Sequence, residues 1–182
     1  MSTQIKDERL AKLGWRERIS YGLGDTGFNF YWTNLSAFLM FFYTEVFGIT
    51  AAVAGSMMII VKVINAFTDA GLGAIADRTQ TRYGKYRPFL IWGAIPLCLS
   101  AVLLYTTPDM DSQGKAVWAF CTYLLMITCY TVISIPYSAL SGVISANPAE
   151  RDAINSARFV GGYLGAALVT WGTQKLVKVF GG

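Results

Sequence analysis

The sequence contains no histidine. Imidazole catalysis and histidine-ligated metal centres are therefore excluded. Its three cysteines, Cys98, Cys121 and Cys129, all lie in apolar stretches and lack metal-ligand spacing. They read as small hydrophobes rather than as a disulfide or redox framework. No nucleophile–base pair, metal cluster or phosphate-cradling loop is visible, so the chain is not read as an enzyme and no cofactor is expected. Nor is there a secretory leader: the first 18 residues are polar, with no short apolar run and small-residue cleavage site after them. Charge is scarce too. Only 14% of the 182 residues are Asp, Glu, Lys or Arg, against 54% hydrophobic. With a mean hydropathy of +0.43 the chain is too apolar for a soluble domain. The net charge of +4 is not a nucleic-acid signal, because the basic residues sit in short clusters beside apolar spans.

What the sequence does contain is a long apolar run, Ala51 to Ala76, with charge inside it. At about 1.5 Å per residue such a helix crosses an apolar core of about 30 Å. Lys62, Asn65 and Asp69 are spaced to share one helix face. A lone Lys or Asp at the centre of a membrane helix costs about 2.5–3.5 kcal/mol on insertion scales. Two readings explain the charges. Either Lys62 pairs with Asp69 or with Asp25 and merely holds helices together, or the polar face lines a cavity that handles an ion or solute.

In chain order, residues 1–19 read as a charged cytoplasmic tail ending near the interfacial Trp15. Residues 20–182 read as a helix bundle with spans of about 21–47, 50–76, 88–106, 116–144 and 154–176. Span one is polar in its first half, where Asp25 and Asn29 lie one turn apart among Gly22, Gly24 and Gly27. Span four carries Pro136 in mid-span and a hydroxyl face of Tyr130, Thr131, Ser134 and Ser138. Span five has Arg158 near its inner end and a small-residue face at Gly161, Gly162, Gly165 and Ala166. The tail, the Asp77–Arg87 loop and the entry to span five hold most of the Lys and Arg. The other side has only Lys115, Lys175 and Lys178. The positive-inside rule then makes the N-terminus cytoplasmic in a multi-pass protein of the cytoplasmic membrane.

Orientation alone accounts for the number of basic residues in the Asp77–Arg87 loop, but not for the spacing of Gly73, Asp77, Arg78, Arg82, Gly84, Lys85 and Arg87. That spacing resembles the loop between helices two and three of the major facilitator superfamily. Three further pieces, YGLGD at Tyr21–Asp25, FFYTEVFGI at Phe41–Ile49 and YTVISIPYSAL at Tyr130–Leu140, narrow the likeness. Together with INAFTDAGLGAIADRTQTRYGKYRPF at Ile64–Phe89 they resemble the glycoside–pentoside–hexuronide:cation symporters of the melibiose permease type. The pieces occur in family order, and the likeness covers nearly the whole chain.

The resemblance implies an all-α membrane protein: part of the N-terminal helix bundle of a twelve-helix secondary transporter, with five transmembrane helices. It implies symport of a sugar, glycoside or hexuronide with a proton or sodium ion. The cation site falls on Asp69, Asn65, Thr68 and Thr131, with no resident metal beyond a transported sodium. The sugar-contacting positions fall on Asn29, Ser134, Ser138 and Arg158. Lys62 falls where melibiose permease has another basic residue, and Asp25 is its candidate partner. This chain departs from that permease at Asn29, Asn65 and Ser134, where the permease has carboxylates. One remaining buried carboxylate suits a proton better than sodium, a hard cation that favours several oxygen ligands. Arg158 suits an anionic group such as a uronate, or serves as a cytoplasmic-side salt bridge or interface anchor. Five spans are fewer than an intact bundle needs. The expected partners are thus the lipid bilayer, the sugar, the cation and a C-terminal bundle that this sequence lacks. The competing reading is a truncated five-helix membrane protein without transport activity, at most an assembly partner.

Overall fold

The structure, a computed structural model, describes residues 14–79, 82, 84, 86–144 and 147–180. They form five long helices, with no strand among the described residues. Helix α1 spans Trp15–Phe41 and runs into a π-helical turn at Phe42–Val46. Helix α2 spans Ala51–Arg78, α3 Arg87–Leu104, α4 Ser112–Ile144 and α5 Pro148–Phe180.

Local capping explains where these helices begin. The Glu17 carboxylate accepts the Gly14 N–H at 2.9 Å, half of a capping box, so α1 starts at Trp15 inside the segment expected as tail. The rest of that tail, residues 1–13, lies outside the described residues. Gly48 takes φ 78°, and the chain turns there between the π-helical turn and α2. Thr50 then caps α2 by accepting the Val53 N–H. Asp111 accepts the Gly114 N–H at 3.1 Å and starts α4 within the stretch expected as loop. Asn147 does the same for α5 by accepting from the Ala149 N–H at 3.0 Å. Apolar patterning misses these first turns because the capping residues are polar.

Among the described residues, three helices, at Ala51–Arg78, Arg87–Leu104 and Ser112–Gly142, are long and apolar enough to cross a membrane. Helices α1 and α5 have the length, 27 and 33 residues, but carry more polar groups. The outward faces are apolar. On α3, Ile91, Trp92, Ile95, Leu99 and Val102 are all exposed, a stripe at helical spacing. On α5 the same holds for Phe159, Val160, Tyr163, Leu164 and Leu168. Such stripes are unfavourable in water and suited to lipid. The protein is a multi-pass membrane protein.

The chain divides into two compact units, one of Met1–Leu39 with Ser141–Gly182 and one of Met40–Leu140. In the second unit the core is formed by Tyr43, Phe47, Val61, Leu104 and Met126. The Tyr43 hydroxyl donates to the Ala119 carbonyl at 3.3 Å, and Gly93 leaves room for the Ile133 side chain. In the first unit α1 and α5 approach backbone to backbone. A Cβ at Gly22 would meet the Ala157 carbonyl oxygen at 2.8 Å, and one at Gly165 the Thr26 carbonyl oxygen at 2.7 Å. At Gly161 it would overlap the Gly22 carbonyl. The glycine face read from span five is therefore a contact seam, against the small residues of α1.

Candidate functional site

The second unit holds a polar chain inside its helices. Asn65 and Asp69 are one turn apart on α2, and the Asn65 amide Nδ2 donates to Asp69 Oδ2 at 3.0 Å. From α4, the buried Thr131 hydroxyl donates to Asn65 Oδ1 at 3.1 Å. Each group thus fixes the next: Thr131 orients the amide, and the amide presents its N–H to the carboxylate. The remaining carboxylate oxygen, Asp69 Oδ1, is buried and has no hydrogen-bond partner. An unsatisfied buried acceptor costs about 1–3 kcal/mol, more when charged. A proton or a cation at Oδ1 removes that cost.

Three of the four residues expected at the cation site thus come together. Thr68 is half-buried nearby on α2, but its hydroxyl donates to its own helix, at 3.0 Å from the Asn65 carbonyl. This is the ordinary fate of a helical threonine, whose hydroxyl reaches the carbonyl a turn back. Lys62 is exposed on α2 and makes no ion pair with Asp69.

The first unit holds a second constellation. Arg158 Nε on α5 lies 3.1 Å from Asp25 Oδ1 on α1, and both side chains are largely buried. Within this unit the charge partner of Asp25 is Arg158. Asn29 Nδ2 donates to the other carboxylate oxygen, Asp25 Oδ2, at 3.2 Å and to the Asp25 carbonyl at 3.0 Å. The guanidinium also lies 5.8 Å from the Tyr21 ring centroid. A side chain at Gly162 would collide with Asn29 and Asp25, so this glycine makes the space the cluster occupies. Two of the expected sugar positions, Asn29 and Arg158, thus share one carboxylate. The other two, Ser134 and Ser138, fall on α4 in the second unit, half-buried and exposed respectively.

With this geometry in hand the comparisons with known proteins are specific. A family model described as MFS/sugar transport protein matches residues 20–182. The chain belongs to the MFS/sugar transport protein family. Its relatives place it among the glycoside–pentoside–hexuronide:cation symporters. An inner membrane symporter of Escherichia coli is 41% identical over 170 residues, covering 93% of this chain and 37% of that protein. The isoprimeverose transporter of Lactiplantibacillus pentosus is 39% identical over 168 residues, 92% of this chain and 35% of the relative. A glucuronide carrier protein homolog of E. coli is 38% identical over 148 residues, 81% and 32% respectively. The chain spans about a third of the length of these relatives. They are named as symporters, transporters and carriers, so the family is one of transporters rather than enzymes.

In this MFS chain the loop motif is anchored at its ends. Gly73, Asp77 and Arg78 close α2, Arg82 is in the turn, Gly84 takes φ 99° and Arg87 opens α3. Lys85 lies outside the described residues. Asp77 accepts a hydrogen bond from the Tyr86 hydroxyl at 3.2 Å, a partner the charge pattern alone does not single out. A further ion pair was also invisible in the pattern: Arg18 Nη2 to Glu150 Oε2 at 2.6 Å joins the first turns of α1 and α5. Glu150 near a helix start reads as a macrodipole complement, and nothing local points to a partner 132 positions away.

Proposed function

We propose that this chain carries the cation site and part of the sugar site of a cation-coupled sugar symporter. The transported solute is a sugar, glycoside or hexuronide, and the N-terminus faces the cytoplasm across the inner membrane. One observation carries the reading. Asp69 is a membrane-embedded carboxylate with one oxygen held by Asn65 and the other, Oδ1, buried and unsatisfied. Neutralising it removes about 2.5–3.5 kcal/mol of charge burial at the bilayer centre. That lowers the cost of turning the loaded bundle between its two access states.

The donor set favours the proton over sodium. Asn65 presents its N–H, not its oxygen, to Asp69, and its oxygen is occupied by Thr131. Thr68 is turned to a backbone carbonyl. A single open carboxylate oxygen accepts a proton readily, whereas a hard cation needs several oxygen ligands. In the first unit Asn29 and Arg158 offer an amide and a guanidinium, and in the second Ser134 and Ser138 offer hydroxyls; each is a group that hydrogen-bonds sugar hydroxyls.

The test is Asp69→Asn in the polypeptide at its full encoded length, reconstituted in vesicles with imposed proton or sodium gradients. Asparagine keeps the shape and cannot titrate. Concentrative uptake is expected to vanish while equilibrium exchange of the sugar persists. Collapse of wild-type uptake by a protonophore, with no response to sodium, is expected for proton coupling. Accumulation by the asparagine variant against a gradient would overturn the assignment of Asp69.

A further inference from the structure

The last turns of α5 carry charge that chain orientation does not explain. The Arg18–Glu150 pair joins the first turns of α1 and α5, so α5 ends at the opposite membrane surface, the one poor in Lys and Arg. Two of the lysines on that side, Lys175 and Lys178, share one face of α5. Leu164, Leu168 and Trp171 continue the same face at helical spacing, and all three are exposed. From Leu164 to Lys175 the helix rises about 16 Å, about half of an apolar core of about 30 Å. With the lysines at the surface, the stripe therefore spans one leaflet: leucines at acyl depth, an indole at the interface, two ammonium groups at the headgroups. No Asp or Glu occurs between Ala153 and Gly182, and among the described residues neither lysine pairs with a carboxylate. The helix macrodipole accounts for Lys178, in the last turn. It does not account for Lys175, whose ammonium is held 4.0 Å from the Trp171 ring centroid. The indole face fixes the cation and leaves its N–H donors for another acceptor.

We propose that the Leu164–Leu168–Trp171–Lys175–Lys178 face of α5 is a docking site for an anionic phospholipid. The leaflet is the one opposite the start of α1. The headgroup phosphate accepts from the two ammonium groups, and Trp171 holds Lys175 in place beneath it. An acyl chain lies along Leu168 and Leu164. A lipid with net negative charge gains from both lysines. In a zwitterionic lipid such as phosphatidylcholine the choline cation offsets the phosphate and is itself repelled, so the face discriminates by headgroup charge. Lys115, on the same side of the membrane, lacks this arrangement. It is half-buried on α4, with its ammonium 5.7 Å from the Phe47 ring centroid.

The experiment offers equimolar phosphatidylglycerol and phosphatidylcholine to the polypeptide at its full encoded length in detergent. Native mass spectrometry reads the ratio of the two lipids in the singly bound complex, which does not depend on how much protein is folded. The wild type is expected to retain phosphatidylglycerol. Lys175→Gln and Lys178→Gln are each expected to lower the ratio about fivefold, and the double variant to bring it towards parity. Lys175→Arg, which keeps the charge and the ring contact, is expected to keep the preference. Trp171→Leu keeps the stripe apolar but frees Lys175, and is expected to lower the ratio about twofold to fivefold. An unchanged ratio in the double variant would overturn the proposal. So would an equal loss in Lys115→Gln, which would make the preference one of diffuse surface charge. If excess inorganic phosphate displaces the lipid completely, the lysines form an anion site and not a lipid-docking face. If the double variant instead loses thermal stability in lipid-free detergent with its lipid ratio intact, the lysines pair with an acidic group elsewhere in the full-length polypeptide, and the lipid reading fails.

Discussion

Thr131 gives the sharpest test of the proposed cation site, because it touches the carboxylate only through an intermediary. Its hydroxyl is 3.1 Å from Asn65 Oδ1, and the residue is 4% exposed. Valine replaces the hydroxyl with a methyl group of nearly the same size, so packing is kept and one hydrogen bond is lost. Interhelical hydrogen bonds of this kind inside membranes are worth about 0.6 kcal/mol on average and about 1.7 at most. Asn65 Oδ1 is left without its donor, which places the cost towards the upper end. If the bond serves to hold the amide against Asp69, the same free energy appears in the affinity of the coupling ion. The half-saturating ion concentration for uptake is then expected to rise about threefold to twentyfold in Thr131→Val. Thr131→Ser, which keeps the hydroxyl, is expected to stay within about twofold. The assay is initial sugar uptake at varied pH, or varied sodium, with the sugar saturating. A Thr131→Val protein of normal abundance and unchanged ion dependence would refute the chain from Thr131 through Asn65 to Asp69.

Three further expectations concern stability. Gly161→Val pushes a side chain into the Gly22 carbonyl and must part α1 from α5, so thermal stability in detergent is expected to fall steeply. Gly27→Ala on α1, where a Cβ meets nothing within 4 Å, is expected to be neutral or slightly stabilising. Arg18 and Glu150 lie 2.6 Å apart, with side chains 27% and 7% exposed. A double-mutant cycle of Arg18→Ala and Glu150→Gln, read by chemical denaturation, is expected to give a coupling of about 1–3 kcal/mol. A coupling near zero would make the pair a surface contact only.

The helices were largely legible in the sequence because their signal is local. Apolar runs of membrane-spanning length state that a helix exists, and positions one turn apart state which residues share its face. Asn65 and Asp69 were readable in this way, being neighbours on a single helix. The helix ends were less legible. Asp111 and Asn147 extend α4 and α5 into polar stretches, where hydrogen bonding continues after hydropathy has stopped.

Partnership between helices was legible only in part. Thr131 could be grouped with Asn65 and Asp69 through the family likeness, but its role as the anchor of the amide needed the packing of α4 on α2. The assignment of Asp25 shows the limit more clearly. On sequence grounds Asp25 is open to more than one basic partner. Within its own unit the structure pairs it with Arg158, 133 positions away. What decides it is not charge but the small-residue seam. Gly22 on α1 and Gly161 and Gly165 on α5 let these two backbones approach, and the approach carries Arg158 to Asp25. Both halves of the seam were visible in the sequence, each on its own helix. Their match was not, because a glycine face states only that some backbone comes close. The charge partner follows from which two glycine faces meet.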